Sequence, residues 1–121
     1  MASHNLNIGD LGETIAKDFL KKKGYKIVEQ NYRNKWGEID LICKEKDVLI
    51  FVEVKTRIGE QFGTPEHALN KNKIQRLIRN AQAYMARKKY MVEYKIDAVC
   101  IVLDKNNKLK RINHYENINE N

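Results

Sequence analysis

Apolar residues recur at helical spacing near the start of the chain. Leu11, Gly12, Ile15, Ala16, Phe19 and Leu20 fall on one face, which predicts an amphipathic helix. It is expected to start near Asp10 and to end at Gly24, behind a run of lysines that suits the negative end of a helix dipole. Strand-like runs follow over residues 25–32, 38–44 and 48–57. Asn31 and Asn34 mark a turn after the first, and Glu45-Lys46-Asp47 a tight turn after the second. Beyond a loop at 59–63, Thr64-Pro65-Glu66 reads as a helix start, a capping hydroxyl followed by proline. A long helix is predicted over 71–89, with Ile74, Leu77, Ile78, Ala81, Tyr84 and Met85 as its apolar seam. A strand over 95–103, a turn at 104–107 and an edge strand over 108–115 complete the pattern. The order α-β-β-β-α-β-β predicts the α/β class, a central mixed β-sheet flanked by helices. Residues 1–115 are expected to form a single domain, and the polar, asparagine-rich stretch 116–121 a flexible tail.

The chain's 121 residues suffice for one compact core. A formal net charge of +7 points to a polyanionic partner, because basic domains attract nucleic acid through counterion release. The two cysteines, Cys43 and Cys100, lie far apart with no Cys-x-x-Cys spacing, so they read as buried free thiols in a reducing compartment. The longest apolar stretch, Val48 to Val52, is far too short to cross a membrane. The first six residues do not have the regions of a signal peptide, so a cytoplasmic protein is expected.

Charge inside the apolar strands is the chemically informative feature. Asp40 interrupts the second strand, and Glu53 and Lys55 interrupt the third. If Lys46 and Asp47 are a two-residue hairpin loop, Glu45 faces Val48 and Asp40 faces Glu53. The carboxylates would then share a face about 5 Å apart, with Lys55 two positions along on the same face. Like charges directly opposite repel, and a divalent cation between them would relieve the strain. The alternative is the polar face of an ordinary hairpin carrying a Glu–Lys pair. The spacing alone leaves both open.

Asp40, followed one strand later by Glu53-Val54-Lys55, resembles the PD-(D/E)xK nuclease superfamily. Gly37-Glu38-Ile39-Asp40-Leu41-Ile42 with Phe51-Val52-Glu53-Val54-Lys55-Thr56-Arg57 is closer still to the YraN family of small bacterial proteins. Gly9-Asp10-Leu11-Gly12-Glu13, Gly24-Tyr25, Asn31-Tyr32-Arg33 and Phe62-Gly63 share that likeness, which runs over residues 9 to 103. Ile39 stands where the superfamily often has proline. The resemblance implies a single restriction-endonuclease-like domain, similar to archaeal Holliday-junction resolvases. It also implies a metal-dependent endonuclease cutting phosphodiester bonds in DNA, including branched DNA, to give a 5′-phosphate and a 3′-hydroxyl. Asp40, Glu53 and Lys55 would be catalytic. Asp40, Glu53, the Val54 carbonyl and Glu13 would hold Mg²⁺ or Mn²⁺, and a homodimer would allow paired cuts. A nuclease-fold module that binds nucleic acid without cutting it is the competing expectation.

Glu13 has a second reading, since Asp10-Leu11-Gly12-Glu13 has capping-box spacing with Asp10 as the cap. Glu38 shares Asp40's parity and is a reserve ligand or a solvated residue. Asp97 interrupts an apolar strand, either supporting the site or facing an edge. Trp36 is either a base-stacking surface or a core residue. His4, His67 and His114 show no ligand spacing. Arg33, Arg57, Lys71, Lys73, Arg76 and Arg79 are the expected nucleic-acid contacts, tracking a phosphate backbone without reading sequence. DNA is the expected partner ahead of RNA.

Overall fold

The protein is described by a computed structural model covering residues 7–120. His4 and the rest of the first six residues lie outside the described residues, as does Asn121. Helix α1 spans Ile8–Lys22, and the Asn7 side chain caps it by accepting from the Asp10 backbone N–H at 3.1 Å. The helix therefore starts ahead of Asp10. Asp10 is a first-turn residue rather than the cap, and Glu13 is freed from the capping role that its spacing allowed. Gly24 adopts the left-handed φ of 97° needed to leave the helix, and Tyr25 folds back to donate to the Leu20 carbonyl.

Five strands follow: β1 Lys26–Asn34, β2 Gly37–Glu45, β3 Val48–Ile58, β4 Glu93–Leu103 and β5 Leu109–Tyr115. Helix α2, Lys71–Lys88, lies between β3 and β4 with Asn70 as its cap. The sheet order is β1-β2-β3-β4-β5. β3 and β4 run parallel, and every other neighbouring pair is antiparallel. A mixed α/β sheet in the predicted element order is therefore present. Thr64-Pro65 opens only a single 3-10 turn, Pro65–Ala68, because Asn70 starts α2 afresh. β1 runs through Asn31 instead of turning there.

The helices cover opposite faces. Ala16 and Leu20 of α1 pack on Leu41, Cys43, Ile50, Val52, Val99 and Ile101. Leu77, Ala81 and Tyr84 of α2 pack on Ile42, Leu49, Phe51 and Ile96. β3 is thus buried on both sides, as a continuous apolar run requires. Gly12 explains how closely α1 approaches: a Cβ there would overlap the Thr56 hydroxyl of β3. Cys43 and Cys100 are buried free thiols, each pushed up to about 12 by burial. Beyond β5, Ile118 N donates to the Ile96 carbonyl at 2.7 Å, and Asn119 Oδ1 accepts from Ile96 N at 2.9 Å. The segment expected to fray therefore lies along β4 as far as Asn119. Among the described residues no helix is long and apolar enough to cross a membrane.

Candidate functional site

The β2–β3 hairpin sets the site. Glu45 pairs with Val48 and Leu41 with Val52, the register of a two-residue Lys46-Asp47 loop. Lys46 takes a left-handed φ of 55° to close it. The ladder stops at Leu41, one residue short of Asp40. There the Asp40 side chain reaches across instead, and its Oδ2 accepts from Val54 N at 2.8 Å.

β2 also changes faces at this point. Strict alternation would place Ile39, Leu41 and Cys43 together. Leu41 and Cys43 do pack under α1, but Ile39 packs with Ile42 under α2. On the neighbouring strand Asn31 has a left-handed φ of 54°, and the Asn31/Asp40 position drops out of the β1–β2 ladder. An irregularity of this kind re-aims a side chain beside a site.

Glu53 is 3% exposed and follows Val52 directly on β3. Burial raises the Asp40 pKa first, and the charge of Glu53 raises it further, against the Val54 N–H that lowers it. The two carboxylates therefore meet as the register predicts. Lys73 Nζ lies 3.1 Å from Glu53 Oε2, and Lys55 Nζ lies 3.7 Å from the same oxygen. Glu13 stands next to Gly12 on α1, half-buried. Its pKa is raised by burial, against a hydrogen bond with Asn31 and with Glu38 adding repulsion. Its charge reaches Asp40. Even so, among the described residues no three Asp, Glu, His or Cys side chains converge closely enough to cage a metal.

Lys73 is the member that sequence reasoning assigned elsewhere. Its signal was local: Lys71 and Lys73 occupy the first turn of α2, where the dipole favours anions and no acidic residue stands. A lysine in that place serves a carboxylate outside the helix. Asn80 was missed altogether, although it interrupts the apolar seam beside Leu77 and Ala81. It is 2% exposed, and its Oδ1 has no partner among the described residues.

The other expected contacts divide. Arg76 lines a cleft beside Lys73, while Arg79 and Lys35 lie over the ring of Trp36 at 5.4 and 5.3 Å from its centroid. Trp36 is 42% exposed and is not a core residue. Arg33 pairs with Glu38 at 3.1 Å on the surface, which leaves Glu38 a solvated partner rather than a member of the carboxylate pair. Arg57 and Lys71 are exposed. Asp97 neither supports the site nor faces an edge: it pairs beside Val52 on the α1 side, fully buried.

The fold and this group of side chains define an α/β protein with a carboxylate pair, one half-buried and one buried, at the margin of its central strand, flanked by lysines. Comparison with known proteins then places it. The profile of the uncharacterised protein family UPF0102 matches residues 12–101, and the chain belongs to that family. It is 42% identical over 109 residues to a UPF0102 protein of Alkaliphilus metalliredigens, spanning 89% of this chain and 96% of the relative. A UPF0102 protein of Syntrophomonas wolfei is 40% identical over 114 residues, 93% of this chain and 97% of its own. One from Clostridium botulinum strain 657 is 48% identical over 84 residues, 69% and 68% respectively. The YraN-like resemblance read from the motifs is this family.

Proposed function

We propose that this protein is a divalent-metal-dependent endonuclease that hydrolyses phosphodiester bonds in DNA, with branched or otherwise structured DNA as its substrate. One observation carries the reading: a half-buried Asp40 and a buried Glu53 are held against each other at a sheet margin with Lys55 and Lys73 beside them. Paired carboxylates facing a polyanion serve no purpose in a simple binder.

The donor set fits Mg²⁺ or Mn²⁺. Mg²⁺ is commonly held by one or two carboxylates, with waters and substrate phosphate completing the shell, so a full protein cage is not needed. Asp40 and Glu53 would hold the ion, the Val54 carbonyl and Glu13 being the further candidates. When bound, it supplies Lewis acidity and a lowered pKa for an attacking water. Lys55 stabilises negative charge developing on the phosphoryl oxygens. Lys73 holds Glu53 in place at 3.1 Å and would serve as a phosphate contact with a metal bound at the carboxylates. Arg76 and Arg79 continue that basic strip along α2, with Arg33, Arg57 and Lys71 as outer contacts. One chain carries one such site and cuts one strand, so paired cuts call for a homodimer. A cytoplasmic location agrees with a DNA substrate.

The decisive assay incubates the protein and Mn²⁺ with single strands, duplexes, flaps, nicks and four-way junctions. Wild type should cut at least one of these, and Glu53→Ala and Lys55→Ala should not. A second reading has its own support. The 3.1 Å Lys73–Glu53 pair already neutralises one carboxylate, as in a binding module that needs no metal. Salt-sensitive DNA binding with no cleavage of any substrate would establish that module instead.

A further inference from the structure

The turn between β1 and β2 and one flank of α2, from Lys73 to Asn80, form a cleft of about 250 Å³. Trp36, Gly37, Glu38, Lys73, Arg76 and Asn80 line it. Lys73 joins it to the carboxylate pair, since the same ammonium contacts Glu53 at 3.1 Å. The volume lies below the ~300–1,000 Å³ of drug-sized pockets, which suits one flat ring system.

Three features of the lining share one chemistry. Trp36 presents an exposed indole with cations over its ring. Aromatic rings on a basic surface are stacking platforms for bases. Asn80 is almost fully buried, and its Oδ1 has no hydrogen-bond partner among the described residues. A buried amide left unpaired costs folding energy, and the adjoining seam of Leu77 and Ala81 would accept an apolar residue there. Gly37, at a left-handed φ of 126°, stands over the Nδ2 end of the amide, where a Cβ would sit at van der Waals contact, 4.0 Å away. The Nδ2 end of the amide is the one toward Gly37, a donor for an acceptor on a base edge. Glu38 on the rim disfavours a bare phosphate inside the cleft, while Arg76 and Lys73 suit the backbone that carries a base into it.

We infer that this cleft binds one unpaired nucleobase beside the carboxylate pair. The base stacks on Trp36, taking the place of Arg79 or Lys35 on the ring, and hydrogen-bonds to the Asn80 amide. The inference rests on the nucleic-acid reading above and narrows it to DNA with a base unpaired beside the bond to be cut.

Trp36 is the chain's only tryptophan, so its emission reports occupancy of the cleft directly. The full chain is titrated at low salt in EDTA with three duplexes: fully paired, with a single-base bulge, and with the same bulge made abasic. Anisotropy of end-labelled DNA gives affinity, and unlabelled DNA is used to read the tryptophan. The bulged duplex should quench Trp36 and bind at least about fivefold tighter than its abasic counterpart. Asn80→Leu should remove that preference and leave affinity for the paired duplex unchanged. Trp36→Ala, at an exposed position, should remove it too, which keeps the test intact if Asn80→Leu does not fold. DNA binding by anisotropy with unchanged tryptophan emission and no abasic discrimination would overturn the cleft assignment and leave the nuclease reading standing. No binding of any of the three duplexes would overturn both.

Discussion

Asp97 and Asp40 sit on the strands flanking β3, and their surroundings differ in one respect. Asp97 is fully buried and enclosed by donors. Tyr25 Oη donates to it at 2.8 Å and Asn117 N at 2.9 Å, with Lys95 Nζ at 3.8 Å. Lys23 donates to His114 Nδ1, which leaves His114 Nε2 as the proton-bearing nitrogen, 2.8 Å from Asp97. Burial alone would raise the Asp97 pKa, yet the bonds from His114, Asn117 and Tyr25 outweigh it and hold the carboxyl below the ordinary range. Asp40 receives one backbone N–H and faces a second carboxylate, and its pKa is raised, by burial first and Glu53 second. The Asp97 network closes its charge balance within the chain and ties the β5 end of the sheet to β4. At Asp40 the neighbours leave the carboxyl disfavoured as an anion, and the metal site proposed above rests on that difference.

The largest expected effect tests the closed network. Asp97→Ala strands the Tyr25, His114 and Asn117 donors and should cost about 3–5 kcal/mol in urea denaturation. A loss under ~1 kcal/mol would mean that the network is not structural. Gly12→Ala comes next, at roughly 1–3 kcal/mol, because the added methyl group must push α1 away from Thr56 and carry Glu13 with it. Asp40→Asn should act in the opposite direction. It retains an acceptor for Val54 N and removes the repulsion, so the metal-free protein should gain about 1 kcal/mol at neutral pH.

The pH dependence sharpens the same contrast. A carboxyl whose folded pKa is raised penalises the folded state once ionised. Asp40 therefore takes stability away as pH rises from its unfolded value of 3.8 through its higher folded value. Asp97 has a lowered folded pKa, so its contribution is present above 3.8 and is lost as pH falls through the folded value. Metal-free wild type should become more stable on mild acidification from neutral pH, and Asp40→Asn should flatten that limb in thermal melts. The smallest effect is expected for Lys55→Ala. Lys55 is part-exposed and contacts Glu53 only at 3.7 Å, so stability should move by about 0.5 kcal/mol or less while cutting is lost.

Much of this was legible in the chain because it depends on local pattern. Strand periodicity and a two-residue loop put Asp40 against Glu53, and the observed pairing of Glu45 with Val48 has that register. The cap of α1 was misplaced because more than one Asx residue precedes the apolar face, and Asn7 rather than Asp10 holds the first-turn amide. Asp97's role was not readable, because its partners come from residues 25, 114 and 117, distant in sequence and joined only by the sheet. Lys73 and Asn80 were hidden for a similar reason. Each breaks a local rule on α2, a cation in the first turn and an amide in the seam, and only the packing of α2 against β2 and β3 shows what each break faces.

The central claim is that the Asp40–Glu53 pair is kept open for a divalent cation. Calorimetric titration of Mn²⁺ into the metal-free protein at neutral pH tests it most directly. The account predicts one site per chain, proton release on binding as Asp40 ionises, and loss of binding in both Asp40→Asn and Glu53→Gln. Absence of binding in wild type, or binding that survives both substitutions, would contradict it.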